Sequence, residues 1–441
     1  MPATTPPDLL AVLAEPNRRR LLALLGAGER SAGDLATEFA VTRSAISQHL
    51  TVLVEAGLVV ARHDGRYRHY RLVPEGMAAL RAQIDEFWTT ELDLLALAGR
   101  PPQGTTPMPY DKSVFLPVSP DEAFALVTEP ERLRRWLAVA ARVDLRAGGS
   151  YRWTVTSGHR AAGTITEVEP GRRLVLGFGW EDDETLPPDA STVTISITPG
   201  DGGTFVRLVH EGLDAAQQAQ HAKGWDHYLD RLVACATEGD AGRDTWMDDS
   251  RPLDQLRSAE VSLAICLDVL RGLDATDGSR PVPSCPDFTI DHLLGHLTMS
   301  LTRLAQAGGA DAGALDALGT PGESGPTDQA EVRIADLATL GLEAWHVRGL
   351  DGDTAMGPFP LPATVVAGIY TVELLVHGWD VAQAIGAKPE ISDALATYAL
   401  GCVDAVAEVG LRTPERFGAV VDVAPDADPL TRLLAATGRN A

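Results

Sequence analysis

The sequence predicts a three-part protein of mixed α and α+β class, and three observations support this. Residues 8–72 combine apolar residues at helical spacing with a short hairpin signal, whereas residues 113–210 change to the two-residue period of β-strands. Residues 253–409 return to helical spacing over several long segments. With 441 residues, 45% of them hydrophobic and 22% charged, the chain is long enough for about three domains.

Two segments with the composition of linkers separate these parts. Residues 99–109 (GRPPQGTTPMP) and 238–252 (EGDAGRDTWMDDSRP) are rich in glycine, proline and polar residues and have no apolar periodicity. We therefore expect the domains to span residues 1–98, 111–238 and 251–441.

Residues 42–55 (TRSAISQHLTVLVE) have the pattern of a helix that reads DNA. Thr42 is a good N-cap, and Ile46, Leu50 and Leu53 recur at helical spacing, so that one stripe is buried. Polar side chains near the start of the helix then face outward, where they can reach base edges and phosphates in a major groove. The candidates are Arg43, Ser44, Ser47, Gln48 and His49.

A hairpin is predicted directly after this helix, over residues 59–72. Its turn is the pair Asp64-Gly65, which is a strong two-residue hairpin signal. Arginines near the tip of such a hairpin suit phosphate contact, and the candidates are Arg66 and Arg68. Helix, turn, helix and hairpin together predict a winged helix-turn-helix domain that binds double-stranded DNA.

Residues 75–97 predict a long helix with a broad apolar stripe. A stripe of this width on a terminal helix favours a partner, and two-fold homodimers are the common solution for DNA readers of this shape. The alternative is that the helix packs on its own domain. We expect the homodimer.

Charge and cysteine content indicate which partners and which compartment suit the chain. The net charge of −24 is distributed as −1 over residues 1–100, −7 over 101–246 and −16 over 247–441, so only the first segment suits nucleic acid. No run of 18 or more apolar residues is present, and the first residues are neither basic nor apolar, so neither membrane spanning nor export is expected. The four cysteines have no paired spacing, which fits reduced thiols in the cytoplasm.

The first domain resembles the ArsR family of winged-helix repressors. The stretches that carry the resemblance are AEPNRRRLLALL, SAGDLA, SAISQHLTVLVEAGLV and the hairpin ending in HYRL. The resemblance implies a homodimer that binds operator DNA and changes its grip on receiving a signal. Metal-sensing members carry a Cys-x-Cys pair in the helix before the reading helix, and here that helix reads SAGDLATEF. Because no thiolate is available there, soft-metal sensing at that position is not expected.

Residues 113–210 predict an antiparallel meander, with short helices at 121–128 and 131–136. The predicted strands span residues 113–116, 151–156, 163–168, 172–180, 191–198 and 204–210. One long helix over 213–237 closes the domain. A curved sheet that grips such a helix encloses a cavity in which a small molecule can bind.

Residues 112–237 resemble the START-like SRPBCC superfamily, in particular the AHSA group related to activators of a chaperone ATPase. The matching stretches are VSPDEAFALVTEPERLRRWL, GTITEVEPGRRLVLGFGW, STVTISITPGDGGTFVRLVHEGL and GWDHYLDRL. The resemblance implies a helix-grip α+β fold whose cavity holds an apolar or amphipathic ligand. The candidate lining residues are Trp136, Trp153, Trp180 and Trp225, and the alternative is that each is ordinary core.

The last domain is predicted to be a helical bundle. Its helices are expected at residues 253–273, 289–306, 328–348, 362–386 and 392–409. Two of them carry polar residues about one turn apart, His292 and His296 in the first and Glu373, His377 and Asp380 in the second. One imidazole from one helix and a carboxylate and an imidazole from another form the three-ligand set typical of a reactive zinc or similar divalent site. Spacing alone favours the alternative, a helix-surface pair beside a buried histidine.

Residues 253–438 resemble the mycothiol-dependent maleylpyruvate isomerase and DinB-like metal-binding family. The matching stretches are CPDFTIDHLLGHL, VELLVHGWDVAQAIG and RFGAVVDVAPDADPLTRLLAATGR. The resemblance implies a four-helix bundle and a divalent metal, zinc as first choice, held by His296, Glu373 and His377, with mycothiol as a further cofactor. His292 stands where the family more often has an acidic residue, so we assign it to the surface or to an outer position. Asp380 is expected to orient His377.

Two functions fit these patterns. In the first, the chain is a DNA-binding transcriptional regulator whose two appended domains sense a small molecule. In the second, it is a metal- and mycothiol-dependent isomerase or transferase with an autoregulatory DNA-binding domain. Because the DNA-reading pattern is the most complete of the three, we predict the regulator and assign no catalytic residue.

Overall fold

The computed structural model describes residues 12, 15–26, 28–39, 43–64, 67–74, 76–77, 80, 109–246, 252–320, 322–323, 325–356, 360–412, 417–424 and 426–440. The chain forms two compact units, Met1–Thr106 and Pro107–Ala441. The last two of the three predicted domains therefore share one unit. Thr42 and most of the predicted helix 75–97 lie outside the described residues.

The first unit is a helix-turn-helix followed by a β-hairpin. Its helices span Pro16–Gly26, Ala32–Thr37 and Arg43–Glu55, and its antiparallel strands span Arg30–Ser31, Val59–Asp64 and Tyr67–Leu72. Ser31 caps the second helix, because its hydroxyl accepts the Asp34 N–H. Ile46, Leu50 and Leu53 are at most 1% exposed, so the stripe predicted from their spacing is the buried face of Arg43–Glu55.

The first part of the second unit is a seven-stranded antiparallel sheet packed on one long helix. The strands span Tyr110–Leu116, Ala140–Val143, Ser150–Thr156, His159–Glu169, Arg173–Trp180, Ser191–Gly200 and Gly203–Glu211. Consecutive strands pair as a meander, except that the first strand pairs with the last. The strand Ala140–Val143 was not predicted, because its four residues (AARV) are too short to show alternation.

The long helix Ala215–Glu238 lies on this sheet. It begins at a capping box formed by Asp214 and Gln217 and ends at Gly239, whose φ of 89° is the left-handed conformation that glycine adopts readily. Its buried face consists of Trp225, Tyr228, Leu229, Leu232 and Cys235. Two short helices, Pro120–Thr128 and Pro130–Leu133, complete this part. The predicted helix-grip arrangement of the α+β fold is confirmed.

The rest of the second unit is a helical bundle, as predicted. Its long helices span Gln255–Leu270, Ile290–Ala307, Ala330–Arg348, Ala363–Ile385 and Asp393–Glu408. Two shorter helices, Ala312–Ala317 and Pro429–Ala436, lie in segments without a predicted helix. Two small hairpins, which pair Pro281–Val282 with Cys285–Thr289 and Asp353–Ala355 with Pro360–Pro362, were also not predicted.

The helix Ala363–Ile385 is the most apolar element of the bundle. Among the described helices it is long and apolar enough to cross a membrane by length and composition, with a mean hydropathy of 1.3 over its best 18-residue window. However, 83% of that window is buried inside the protein, against Gln255–Leu270, Ile290–Ala307 and Asp393–Glu408. Its composition is therefore that of a central core helix.

The sheet part and the bundle meet through buried charged groups. The side chains of Arg134 and Glu331 are 0% and 4% exposed, and Arg134 Nε lies 3.2 Å from Glu331 Oε1. At a second point, Glu260 of the bundle is 2% exposed and its carboxylate accepts the Gly158 N–H of the sheet part at 2.6 Å. Glu260 also lies 2.9 Å from His346 Nε2. Buried charges are stable only when paired, so these contacts join the two parts into one unit.

Candidate DNA, ligand and metal sites

The helix Arg43–Glu55 presents a polar surface at its start. Ser44, Ser47 and Gln48 are exposed, because the apolar stripe on the opposite face holds the helix against the domain. His49 is half-buried, and its Nδ1 lies 3.6 Å from a Glu15 carboxylate oxygen, so it is less accessible than Ser44, Ser47 and Gln48. The side chain of Arg43 lies outside the described residues.

The hairpin carries one described candidate. Arg68 is exposed on the strand Tyr67–Leu72, with its guanidinium 5.5 Å from the ring centroid of Tyr70. Arg66 lies outside the described residues. Arg62, on the other strand, is exposed but pairs with Glu29 at 2.9 Å. Arg68 is therefore the hairpin candidate that the described surface supports.

An aromatic cavity of about 230 Å³ lies between the sheet and the long helix of the helix-grip part. Its aromatic lining comprises Trp153, Phe178, Trp180, Trp225, Tyr228 and Trp246. Three of the four predicted tryptophans therefore meet there. Trp136 does not line this cavity: it is 2% exposed, and its indole N–H donates to the Leu126 carbonyl at 2.8 Å, which fixes it in the core beside the helix Pro120–Thr128.

Two histidines in and behind the cavity wall are held neutral by tryptophans. The Trp180 indole N–H donates to His221 Nε2 at 3.0 Å, and the Trp225 N–H donates to His210 Nδ1 at 3.0 Å. The opposite nitrogen of His210 lies 2.9 Å from the Ser191 hydroxyl. Burial and the neighbouring His221 lower the pKa of His210 to about 3, and burial lowers the pKa of His221. The sequence had no spacing that indicates these pairs.

The charged groups Arg160, Asp182 and Asp183 at the cavity wall each have a hydrogen-bond or ion-pair partner. Arg160 Nε lies 3.2 Å from a Glu181 oxygen, and its guanidinium also donates to Asp182 at 2.5 Å. Asp183 accepts the backbone and hydroxyl of Thr185, and these hydrogen bonds lower its pKa. The cavity is therefore an aromatic space whose charged rim residues already have partners.

The bundle brings His296, Glu373 and His377 together. One ligand atom from each residue lies within 4.8 Å of the other two. Glu373 Oε2 lies 3.3 Å from His296 Nε2 and 3.6 Å from His377 Nε2. His296 comes from the helix Ile290–Ala307, and the other two residues lie one turn apart on Ala363–Ile385. We call these three residues the bundle triad.

The bundle triad places ionisable groups in a partly buried setting. Burial opposes ionisation of Glu373, but the adjacent imidazole of His296 and the charges of both histidines outweigh it and hold the pKa of Glu373 below its usual value. In return, the Glu373 carboxylate raises the pKa of His296 against the effect of burial. The triad therefore favours positive charge beside the Glu373 carboxylate, which either protonated histidine or a metal cation supplies.

His377 is oriented by a buried ion pair. Its Nδ1 lies 2.9 Å from Asp380 Oδ2, which leaves Nε2 directed at Glu373. Arg439 donates to the same Asp380 oxygen at 2.7 Å, and Ser284 donates to the other at 2.5 Å. The Asp380 side chain is 0% exposed. Asp380 was predicted to orient His377, whereas Arg439 and Ser284 were not predicted, because both lie far from Asp380 in the chain.

A large cavity of about 860 Å³ opens beside the triad. Its polar lining includes Cys285, Ser300, Arg303 and Arg439 in addition to the triad. His292, the other histidine of Ile290–Ala307, is exposed, and its Nδ1 accepts the Thr289 N–H at 3.4 Å. It therefore caps its helix and takes no part in the cluster, as expected for the outer position.

Family models match three separate segments of the chain. They are Helix-turn-helix domain at residues 13–62, Activator of Hsp90 ATPase homolog 1-like protein at residues 117–237, and Mycothiol maleylpyruvate isomerase N-terminal domain at residues 260–382. These matches confirm the three family resemblances inferred from the sequence.

Individual proteins are similar to parts of the chain. The HTH-type transcriptional regulator Rv2034 of Mycobacterium tuberculosis is 46% identical over 80 residues, which are 18% of this chain and 75% of that protein. The Arsenical resistance operon repressor of Escherichia coli is 38% identical over 87 residues, which are 20% of this chain and 74% of that protein. The solved structure of an AHSA1-like protein from Rhizobium etli is 39% identical and covers 33% of this chain and 91% of its own, with a TM-score of 0.26.

Proposed function

Because the chain belongs to the ArsR-type family of helix-turn-helix transcriptional regulators, we propose that it binds an operator as a homodimer under the control of a small molecule. It is a DNA-binding regulator with appended domains. The observation that carries this function is the helix Arg43–Glu55, whose buried stripe leaves Ser44, Ser47 and Gln48 exposed at its start. Such short polar side chains suit base edges, whereas Arg68 suits phosphate.

Mobility-shift titrations with the full chain test this assignment of roles. Replacing Gln48 by Ala should weaken operator binding by about 1 kcal/mol or more and leave non-specific DNA nearly unaffected, because base contacts carry sequence information. Arg68→Ala should weaken binding to all sequences and reduce the salt slope by about 1. Glu55→Gln, at the far end of the same helix, is the matched control. Absence of any DNA binding at low salt would contradict the function.

The homodimer is supported by the broad apolar stripe of residues 75–97, which lie largely outside the described residues. Sedimentation of the full chain should give twice the monomer mass, and Leu92→Lys on that stripe should reduce it. A wild-type monomer that still binds a two-fold operator would argue against this arrangement. The four free cysteines fit the proposed cytoplasmic compartment.

The bundle triad is proposed to hold a divalent metal, with zinc as first choice. Zinc bonds of about 2.0–2.1 Å to nitrogen and oxygen at tetrahedral angles separate neighbouring ligand atoms by about 3.4 Å. The separations of 3.3 and 3.6 Å between Glu373 and the two histidines match this value. Two imidazoles and one carboxylate are also the donor set of open zinc sites, in which the metal polarises a bound group. His377, Glu373 and His296 would be the ligands, with Asp380 fixing His377.

Metal analysis of the purified full chain tests the site. We expect about one zinc per chain in the wild type and loss of that zinc in His296→Ala. His292→Ala removes the exposed histidine one turn earlier and should retain the metal. Equal metal content in the His296→Ala variant and the wild type would return these residues to an ordinary buried hydrogen-bonded cluster.

A second candidate function is a metal- and mycothiol-dependent isomerase or transferase. The observation that favours it is the cavity of about 860 Å³ beside the triad, which has room for a thiol cofactor and is lined by the exposed Arg303, a suitable partner for an acidic substrate. Zinc-loaded full chain, mycothiol and maleylpyruvate should then give isomerised product. Metal-loaded protein that leaves maleylpyruvate-type substrates unchanged in the presence of mycothiol would contradict catalysis of this class and leave the regulator unaffected.

A further inference from the structure

One bundle helix contacts both the wall of the aromatic cavity and the helix that carries two residues of the bundle triad. This helix, Gln255–Leu270, packs along Ala363–Ile385. It also contacts the turn between the strands Ser150–Thr156 and His159–Glu169, and residues 156 and 158–160 of that turn line the aromatic cavity. We call residues 156–160 the cavity turn and Gln255–Leu270 the connecting helix.

Two buried side chains hold the connecting helix to the cavity turn. Arg257 is 4% exposed and donates to the Ser157 carbonyl at 3.3 Å. Glu260 is 2% exposed, accepts the Gly158 N–H at 2.6 Å and lies 3.8 Å from the Arg160 guanidinium. Because buried polar groups are costly to separate from their partners, a shift of the helix would carry the turn with it.

The connecting helix is also fixed to Ala363–Ile385, at points before and after the two triad residues of that helix. The Ser258 hydroxyl lies 2.8 Å from the Thr371 hydroxyl, two residues before the first of them, and both side chains are buried. A Cβ added at Gly378, one residue after the second, would lie 3.2 Å from the Cα of Cys266. The two helix backbones therefore approach closely there, and close-packed interiors transmit displacement.

These contacts form a continuous path from the triad to the cavity wall. We propose that the connecting helix couples the bundle triad to the cavity turn, so that a metal ion held by His296, Glu373 and His377 restrains the turn. Such an ion would fix Ile290–Ala307 relative to Ala363–Ile385, on which the connecting helix packs. By thermodynamic linkage, a molecule that alters the cavity turn changes metal affinity by the same factor. This inference rests on the proposed metal site and names what regulates it.

Hydrogen–deuterium exchange on the full chain, with and without zinc, tests the coupling. Short labelling times report local opening rather than global unfolding. We expect zinc to slow exchange in the cavity turn by about fivefold, the lower end of typical coupling between sites, and to leave the edge strand Tyr110–Leu116 unchanged. Bound zinc that leaves exchange in the cavity turn unaltered would overturn the proposal.

A pair of carboxylate variants tests the contact between the connecting helix and the cavity turn. Glu260→Ala removes the acceptor of the Gly158 N–H, so the effect of zinc on the turn should fall below about twofold while zinc stays bound. Glu331→Ala removes a buried carboxylate that pairs with Arg134 from a different helix, and it should keep the full effect of zinc on the turn. A full effect of zinc in the Glu260→Ala variant would also overturn the proposal.

Two glycine variants test the coupling in the metal-free protein. Gly378→Ala presses on the backbone of the connecting helix, which must give by a few tenths of an ångström, and it should speed exchange in the cavity turn by about fivefold. Gly368→Ala, on the same helix, meets the Cys402 sulfur at 3.1 Å instead and should leave the turn unchanged. Unchanged exchange in Gly378→Ala, or equal effects of the two variants, would overturn the coupling.

Zinc content measured in the same samples separates this inference from the proposed metal site. Absence of zinc from the wild type would contradict the metal site, and the glycine variants alone would then decide whether the connecting helix couples the two regions. Bound zinc together with an unaltered cavity turn would overturn the coupling and leave the metal site in place.

Discussion

The aromatic cavity and the bundle triad lie in one compact unit, yet histidine is favoured in opposite protonation states at the two sites. In the cavity, His210 and His221 accept N–H groups from tryptophans, so their neutral forms are favoured. In the bundle, His296 faces the Glu373 carboxylate at 3.3 Å, so its charged form is favoured. Burial lowers the pKa of the two cavity histidines, whereas the carboxylate beside His296 outweighs burial and raises its pKa.

This difference indicates two kinds of selectivity in one protein. The cavity has aromatic walls, so shape and apolar contact favour what enters it. The metal site proposed at the bundle triad has a fixed set of donor atoms, so charge and coordination geometry are the basis of its selectivity.

Loss of the ion pair between Asp380 and Arg439, next to the bundle triad, should lower the free energy of unfolding more than the changes in the cavity described below. Arg439→Met leaves the Asp380 carboxylate buried without its guanidinium, and we expect a loss of about 3–5 kcal/mol in the free energy of unfolding. Arg432→Met, an exposed arginine seven residues earlier in the chain, should change stability by less than about 0.5 kcal/mol. Urea unfolding measures both variants. Similar small losses in the two would show that Asp380 is stabilised by its other contacts.

Metal affinity should depend on the bundle triad and be independent of the histidines in the cavity wall. Glu373→Gln removes the anionic ligand, and we expect zinc affinity to fall more than about 100-fold, beyond the effect of an outer partner. His221→Gln, in the cavity wall, should leave zinc affinity unchanged. Competition with a chromophoric chelator measures both affinities. A loss of zinc in the His221→Gln variant would indicate that the metal binds at the cavity, and it would contradict the site proposed at the bundle triad.

Acid should destabilise the cavity side through His210. Its pKa is about 3 in the folded protein and 6.5 when unperturbed, so the unfolded chain binds a proton first as the pH falls. The stability is fully present above pH 6.5 and is lost as the pH falls toward 3, by about 2 kcal/mol between pH 7 and 5. His210→Gln should reduce this loss, measured by urea unfolding at several pH values. The exposed His292→Gln should keep the wild-type dependence, and an equal slope in His210→Gln would refute the assignment.

Two mid-helix glycines, one at the cavity and one in the bundle, should differ in how alanine at each position changes the stability of the protein. Gly224→Ala should stabilise the protein by about 0.5–1 kcal/mol, because a Cβ meets open space and helix propensity improves. Gly341→Ala should destabilise it by about 1–3 kcal/mol, because the Cβ would overlap the Tyr370 hydroxyl in the bundle core. Thermal unfolding compares the two. Destabilisation by Gly224→Ala would mean that the helix is already packed there.

Local pattern was sufficient for the parts that depend on neighbours in the chain. Ile46, Leu50 and Leu53 lie on one helical face, so spacing predicts the buried stripe. Glu373 and His377 lie one turn apart, and the family resemblance indicated which histidine of the other helix joins them. The meander and the long helices follow from periodicity in the same way.

Contacts between distant segments were not predictable in this way. Arg439 reaches Asp380 from 59 residues away, and Glu260 of the bundle meets Gly158 of the sheet, although nothing in either local sequence identifies the other. The prediction that Trp136 lines the cavity was wrong for a related reason. An aromatic residue beside a sheet suggests a cavity wall, but its indole N–H found a carbonyl in the core. Hydrogen-bond partners decide between these outcomes, and only the fold supplies them.

The turn at Ser157 and Gly158 also determines where this protein can be divided. Glu260 accepts the Gly158 N–H, and Arg257 donates to the Ser157 carbonyl at 3.3 Å, so the turn is completed by residues a hundred positions later. A truncation at the second linker would take the Gly158 N–H from Glu260 and the Arg134 guanidinium from Glu331. For grafting either sensor onto another regulator, the transferable cassette is therefore the whole of Pro107–Ala441.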